Sequence, residues 1–389
     1  MRHLLPSSDD YISGRMNKWT GRYARTDKPT RSDDLGFLTG RLWLLSLATG
    51  NQELRDRAVW MANSTASLVG EAATLVDASW DLYYALALGA EITGSQDFAQ
   101  KALEACRRNT ARSVSKPDPA AAFVFQVGEE RLIPFEGSAS MQLVGWASAA
   151  APDVLAHHLA HLDHLVELGF IRPDGSSHHL AELDEAYKVI RLKTYQGYSA
   201  DSTWARGQAW GMMGFTAAYE ATGIQRYLDT AVRLTDFWLS RTGDDPVPFY
   251  DFDDPRKDEV PRDSCAAAIV ANVLMRLHRL RPGDPRYLAA ADATITELHN
   301  NYLGRGGSLL HGSGGQFTPI MFGSARTRRP PKTPADWALA RRFPQEEVMH
   351  YGDYFFVEAL YRRTHEDWGI FDLPSRQLNR SPAGGQETR

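Results

Sequence analysis

Apolar residues recur at intervals of three and four along most of the chain, and the helical runs they predict arrive in pairs. Each pair reads as an apolar, Trp- or Ala-rich helix, a Thr-Gly or Pro-Gly break, and a second amphipathic helix. Four copies stand out: LWLLSLATGNQELRDRAVWMA around Gly50, LYYALALGAEITGSQDFAQKALEA around Gly94, GFTAAYEATGIQRYLDTAVRLTDFWL around Gly223 and ANVLMRLHRLRPGDPRYLAAADATITEL around Gly283. Glycine at the break supplies a left-handed helix C-cap, and the Asn, Ser, Asp or Pro beside it starts the partner helix. Two weaker copies follow the same scheme, MQLVGWASAAAPDVLAHHLAHLDHLVEL around Pro152 and the final VMHYGDYFFVEALYRRT. Strand-like segments such as AAFVFQVG and VPFYDFD are short and read as isolated.

Six helical hairpins in one chain predict an all-α fold, a closed (α/α)6 barrel. An open α-solenoid is the rival, because stacking of hairpins does not by itself force closure. No shift in composition marks a boundary, so residues 1–374 read as one domain and the polar, Gly/Pro-bearing 375–389 as a disordered tail.

Composition narrows the partners more than the fold. The 389 residues are 43% hydrophobic and 23% charged, which excludes a disordered, collagenous or coiled-coil chain. With 43 basic and 48 acidic residues the net charge is −5 and the signs are mixed along the chain, which argues against nucleic acid. Cys106 and Cys265 are too few for a disulfide framework and fit a reducing compartment at least as well as an oxidising one. Met1 to Lys18 has no apolar core of a leader, and no run approaches the roughly 18 apolar residues that cross a bilayer. The cytoplasm is the expected location, with no membrane partner; the oligomeric state is left open.

Chemistry is expected where inner helices start, because loops at one end of such a ring line a pocket. The richest stretch is Thr194 to Tyr198 followed by Asp201 to Gly211. Asp201 or Ser202 is placed to cap the next helix, leaving Arg206 and Trp210 four apart on one face. A guanidinium beside an indole suits an anionic sugar, since Arg offers a fork of donors to a carboxylate and Trp stacks on a pyranose. The same spacing also fits a buried structural ion pair and a core indole.

Several weaker constellations read as scaffold. His157, His161 and His164 share a helix stripe at metal-ligand spacing but read as a solvated face, with no carboxylate or Cys to complete a site. Asp251, Asp253, Asp254 and Asp258 lack the spacing and Gly of a calcium loop and read as a polar loop. The Arg- and Pro-rich 324–342 reads as a solvated loop or a rim that attracts anions, and the glycines of GRGGSLLHGSGG as turns.

QGYSADSTWARGQAWG, with VPFYDFD, RDSCAAAI and YGDYFFVEAL, resembles the signature of the unsaturated glucuronyl hydrolases, glycoside hydrolase family 88, over residues 35 to 362. The resemblance implies a single (α/α)6 barrel that removes a 4,5-unsaturated uronic acid from the non-reducing end of an oligosaccharide, without metal or organic cofactor. In that chemistry an acidic carboxyl protonates C4, water adds at C5, and the hemiketal opens to release the aglycone. One carboxyl must therefore be protonated near working pH and take a proton back from water, with a second carboxylate nearby.

The family carries one carboxylate in a His-Asp-Leu-Gly-Phe segment at the second inner helix. Asp33-Asp34-Leu35-Gly36-Phe37 matches the letters but opens the first hairpin, whereas Trp80-Asp81-Leu82-Tyr83-Tyr84 opens the second. Helix order outranks letters, so Asp81 is assigned the role and Asp34 that of a helix cap. The family's proton donor is an Asp ten residues before a Trp-Ala-Ser; counting back from Trp146 reaches Glu136, a carboxyl extended by one methylene. By itself Glu136 also fits a helix-start residue interacting with the dipole. His178, Gln196, Arg206 and Trp210 fall on family substrate-contacting positions. Trp80 stands where the family has a His, on the sugar-binding side, and Leu38 where it has a Trp. These departures keep two alternatives open: a related hydration or dehydration of a sugar-bearing metabolite, and a barrel that binds glycan without turnover.

Overall fold

The computed structural model describes residues 34–68, 82–114, 124–127, 130–256, 260, 262–303, 309 and 350–365. The first hairpin joins α1 (Asp34–Thr49) to α2 (Gln52–Leu68). The second runs from a π-helical segment, Leu82–Ala87, through α3 (Leu88–Thr93) to α4 (Gln96–Val114). A 3-10 helix, Phe135–Ser140, leads into α5 (Met141–Ala147) and α6 (Pro152–Glu167). Two long pairs follow, α7 (Ala205–Thr222) with α8 (Gln225–Thr242) and α9 (Ser264–Leu280) with α10 (Arg286–Glu297). The last described helix is α11 (His350–Thr364), which has no outer partner among the described residues.

Local chemistry explains the breaks. Gly50, Gly94 and Gly223 take φ of 69°, 72° and 70°, the left-handed cap expected of them. Asn51 then accepts from the backbone N–H of Glu53, and Ser95 from that of Phe98, starting the outer helices. Gly283 departs from expectation: its φ is not positive, and α9 ends instead at Arg281, whose N–H donates to the Leu277 carbonyl. Pro152 occupies the first turn of α6, where its missing N–H costs nothing.

The ring closes. Going round the inside, α1 packs on the π segment, which packs on α5; α5 packs on α7, α7 on α9, α9 on α11, and α11 returns to α1. Helices α2, α4, α6, α8 and α10 lie outside, each against its own inner partner. Closure is carried by a buried ion pair, Arg41 Nη1 to Asp353 Oδ2 at 2.9 Å, and by rings meeting across the axis. Phe37 stacks on Tyr84 with centroids 4.5 Å apart, and Tyr84 lies 4.5 Å from Tyr354. An open solenoid is thereby excluded.

One expectation fails instructively. The AAFVFQVG segment is not isolated: Phe125–Val127 forms β1 of a four-stranded antiparallel sheet with β2 (Glu130–Pro134), β3 (Leu180–Leu183) and β4 (Val189–Lys193), in the order β1-β2-β3-β4. The VPFYDFD segment does stay outside named strands, making single bridges at Phe249 and Asp251. Strands of three to five residues carry too few alternations to be told from loop by pattern.

The histidine row of α6 is not a solvated face either. His161 is fully buried and its neighbour His158 nearly so, the latter beside Thr110 of α4 at 3.3 Å, while His157 and His164 are half-buried. Residues 324–342 and 375–389 lie outside the described residues, as do all of 304–315 except Leu309. No described helix is long and apolar enough to cross a membrane.

Candidate active site

The register of the sheet assembles the site. Pro134 pairs with Leu180 and Leu180 with Lys193, so the end of β2, the start of β3 and the end of β4 share one edge. The next residues along each strand are Glu136, His179 and Thr194 to Gln196. A backbone bond from Phe135 N–H to the His179 carbonyl, 2.9 Å, carries the pairing one step beyond the sheet.

Glu136 sits in the 3-10 turn with its side chain 15% exposed, and its Oε2 lies 3.7 Å from Nε2 of buried His179. The tautomer of His179 follows from its other nitrogen. Tyr195 N–H donates to Nδ1 at 3.3 Å, and the Thr194 hydroxyl lies 2.8 Å from it. Because Tyr195 N–H donates to it, Nδ1 is the accepting nitrogen, and the Thr194 hydroxyl, which itself accepts from Gly197 N–H at 2.8 Å, donates to it as well. With Nδ1 accepting, a neutral ring carries its proton on Nε2, the nitrogen nearer Glu136. The Trp204 ring, 4.6 Å away, holds the imidazole from one side.

His178, the neighbour singled out by sequence, faces elsewhere. Its Nδ1 lies 2.9 Å from the Arg172 guanidinium and 3.0 Å from the Ala200 carbonyl. Burial, reinforced by the Arg172 charge, lowers its pKa and keeps it neutral. The structure therefore brings His179, not His178, to Glu136.

Arg206 is 2% exposed, and its Nη1 meets Asp263 Oδ2 at 2.6 Å, with Asp263 wholly buried. Burial opposes the guanidinium charge, but Asp263 together with Tyr351, Tyr250 and Cys265 outweighs it and raises the pKa. Asp263 also caps α9, its Oδ1 accepting from Ala266 N–H at 2.9 Å, so one carboxylate ties α7 to α9. The remaining Arg206 nitrogen approaches Gln196 Oε1 at 3.4 Å, and its plane lies between the Trp204 and Tyr351 rings, 5.0 and 5.5 Å from their centroids. Trp210 is buried at 2% exposure, 6.0 Å from Tyr351 and 5.7 Å from Phe355. Both are buried among aromatic rings, with Arg206 in the ion pair that spacing alone already allowed.

Asp201 and Ser202 do not cap α7. The N-cap is Trp204 with extended backbone, and Ser202 instead bonds Asp251 Oδ2 at 2.7 Å. Asp251 is fully buried, and it also accepts from Tyr198 and Asp253 N–H at 2.9 Å each. Burial raises its pKa against those bonds. Within this polar loop Asp251 is thus an internal brace, Asp254 is buried as well, and Asp253 is exposed. Among the described residues no group of three His, Cys, Asp or Glu is arranged to hold a metal ion. Trp80, Asp81 and Asp258 lie outside the described residues; Leu82, next after Asp81, opens the second inner helix.

Comparison with known proteins bears on the family and the fold. No family model matches the chain. The unsaturated glucuronyl hydrolase of Bacillus sp. strain GL1 is 29% identical over 373 residues, spanning 92% of this chain and 90% of its own. That of Formosa agariphila is 27% identical over 352 residues, 86% and 80% of the two chains. The crystal structure of the Bacillus sp. GL1 unsaturated glucuronyl hydrolase superposes with a TM-score of 0.75 and 25% identity, covering 95% of this chain and 98% of the other. The chain is a relative of the unsaturated glucuronyl hydrolases. Glu136 stands at the position where the sequence resemblance led one to expect an Asp, and His179 is the side chain the structure sets against it.

Proposed function

We propose that this chain is a glycoside hydrolase that hydrates the C4=C5 vinyl ether of a terminal 4,5-unsaturated uronic acid and releases it from an oligosaccharide or glycoside. The observation that carries the reading is the Glu136 carboxyl set 3.7 Å from Nε2 of a His179 whose Nδ1 accepts from Tyr195 N–H. Protonated Glu136 gives its proton to C4 as the double bond opens. Water attacks C5, and the carboxylate takes back the water proton. The C5 hemiketal then opens by breaking C5–O5, leaving a ketone at C5 and a hemiacetal at C1; collapse of that hemiacetal to an aldehyde breaks the C1–O bond and releases the aglycone as an alcohol. His179 holds the carboxylate in place through this exchange.

In this reading Asp81 is the second carboxylate and Trp80 lies on the sugar-binding side, both supported by chain position at the head of the second inner helix. Gln196 offers an amide to the sugar, and Arg206 and Trp210 supply local positive charge and an aromatic wall. Residues 1–374 act as one catalytic domain. The enzyme works in the cytoplasm, which two buried, unbridged thiols support.

Incubation with unsaturated disaccharides, following loss of the vinyl-ether absorbance in the ultraviolet, tests the proposal. Turnover that disappears in Glu136→Gln is the expected result. No turnover on any unsaturated uronide, or undiminished turnover by Glu136→Gln, defeats it.

A further inference from the structure

Arg172 is the guanidinium for which the catalytic reading has no use, and its surroundings are unusual. It is half-buried in the turn after α6, and among the described residues no carboxylate lies within ion-pair range of it. A charge removed from water without an anion is costly unless every donor is satisfied. Here five neutral oxygen acceptors and a ring nitrogen of His178 surround it. Nη1 reaches Ser176 Oγ at 3.0 Å, the Ser177 carbonyl at 3.2 Å and Thr203 Oγ1 at 3.1 Å. Nη2 reaches His178 Nδ1 and the Asp201 carbonyl at 2.9 Å and the Ser202 carbonyl at 3.3 Å.

These partners belong to two stretches remote in sequence. One, 176–178, runs directly into His179. The other, 201–203, runs directly into Trp204, whose ring packs on His179 and beneath Arg206. The turn bearing Arg172 is itself anchored, with its N–H on the Ser176 carbonyl at 2.8 Å and Gln208 of α7 donating to the Gly175 carbonyl at 2.9 Å.

We propose that Arg172 is a positioning residue: its guanidinium ties the 176–178 and 201–203 segments together and thereby sets the His179–Trp204 pair that holds Glu136. It touches no reacting atom and acts only through His179. The inference rests on the proposed function for its kinetic consequence, but not for its structural one. Lysine keeps the charge yet cannot span these partners from a single nitrogen.

The test is a double-mutant cycle with a spectroscopic arm. Arg172→Lys is expected to lower kcat about tenfold or more with KM nearly unchanged, a cost typical of displacement on the ångström scale. In a His179→Ala background the same exchange should change kcat by less than about twofold. Equal losses in both backgrounds would mark Arg172 as merely structural and overturn the proposal. Should Arg172→Lys not fold, Thr203→Val removes one acceptor at nearly constant volume and must show the same non-additivity. In protein labelled with nitrogen-15 histidine, wild-type His179 should show one Nε2–H tautomer and Arg172→Lys a mixture; identical spectra refute the proposal. That arm reads out even if no unsaturated uronide is turned over, so failure here and failure of the functional reading are separable.

Discussion

Glu136 and His179 face each other at 3.7 Å although all of α6 lies between them in the chain. Their meeting depends on β2–β3 register, in which Pro134 opposes Leu180. A slip by one residue would present His178 instead, with its side chain on the opposite face.

The length of the Glu136 side chain is expected to matter. Glu136→Asp retracts the carboxyl by roughly 1 Å, and a displacement of that size costs on the order of a hundredfold in rate. Glu136→Gln, which cannot exchange the proton, should lose more than Glu136→Asp. Steady-state decay of vinyl-ether absorbance measures both.

The two histidines should separate cleanly. His179→Ala is expected to lower kcat about a hundredfold, within the usual range for a group that supports proton transfer. His178→Ala should cost less than about tenfold and act through the Arg172 turn. A larger kcat loss in His178→Ala than in His179→Ala would reverse the assignment.

Asp263→Asn leaves the Arg206 guanidinium buried without its carboxylate. Uncompensated charge of this kind costs about 3–5 kcal/mol. Because Asp263 also caps α9, Asp263→Asn tests the ion pair while retaining an acceptor for Ala266 N–H. Chemical denaturation should show the loss as a lower midpoint at unchanged slope.

Close packing holds the 3-10 turn of Glu136 as well. A Cβ at Gly214 of α7 would overlap the Ser138 carbonyl oxygen, a backbone atom that cannot swing aside. Gly214→Ala is therefore expected to destabilise by about 1–3 kcal/mol and to lower kcat, because the turn that must shift carries Glu136. A stability loss with kcat intact would show that the turn yields without moving the carboxyl.

Acid should weaken the barrel through His158. Burial, then the charges of His157 and His161, holds its pKa well below the ordinary value of 6.5. The folded state thus refuses a proton that the unfolded chain takes up. Stability is full above pH 6.5 and falls as pH drops below it, by up to about 1.4 kcal/mol per pH unit, until the folded pKa is passed. Melting curves from pH 7 to 5 should show this slope, and His158→Gln should flatten it.

The helical hairpins were legible because they are local events. Period-3.6 patterning, the left-handed glycines at 50, 94 and 223, and caps such as Asn51 and Ser95 all act within a turn or two of chain. The stretch from Thr194 to Gly211 stood out for the same reason: its polar and aromatic mixture is a property of composition. Gln196 and Arg206 lie in it, whereas Glu136 was named from its spacing to Trp146. His179 could not be preferred over His178, since the two are adjacent and only strand register distinguishes their faces. One available signal was strand alternation around Leu180, and it was too short to read.

What the sequence determined by itself was therefore the set of helices, their pairing into hairpins and the stretches that bear chemistry. Only the tertiary structure decided that the ring closes through Arg41 and Asp353, that four short strands join in one sheet, that Asp263 claims Arg206, and that His179 rather than its neighbour meets Glu136. Each of those depends on contacts between residues far apart in the chain, whose geometry is set by packing and register, not by local propensity.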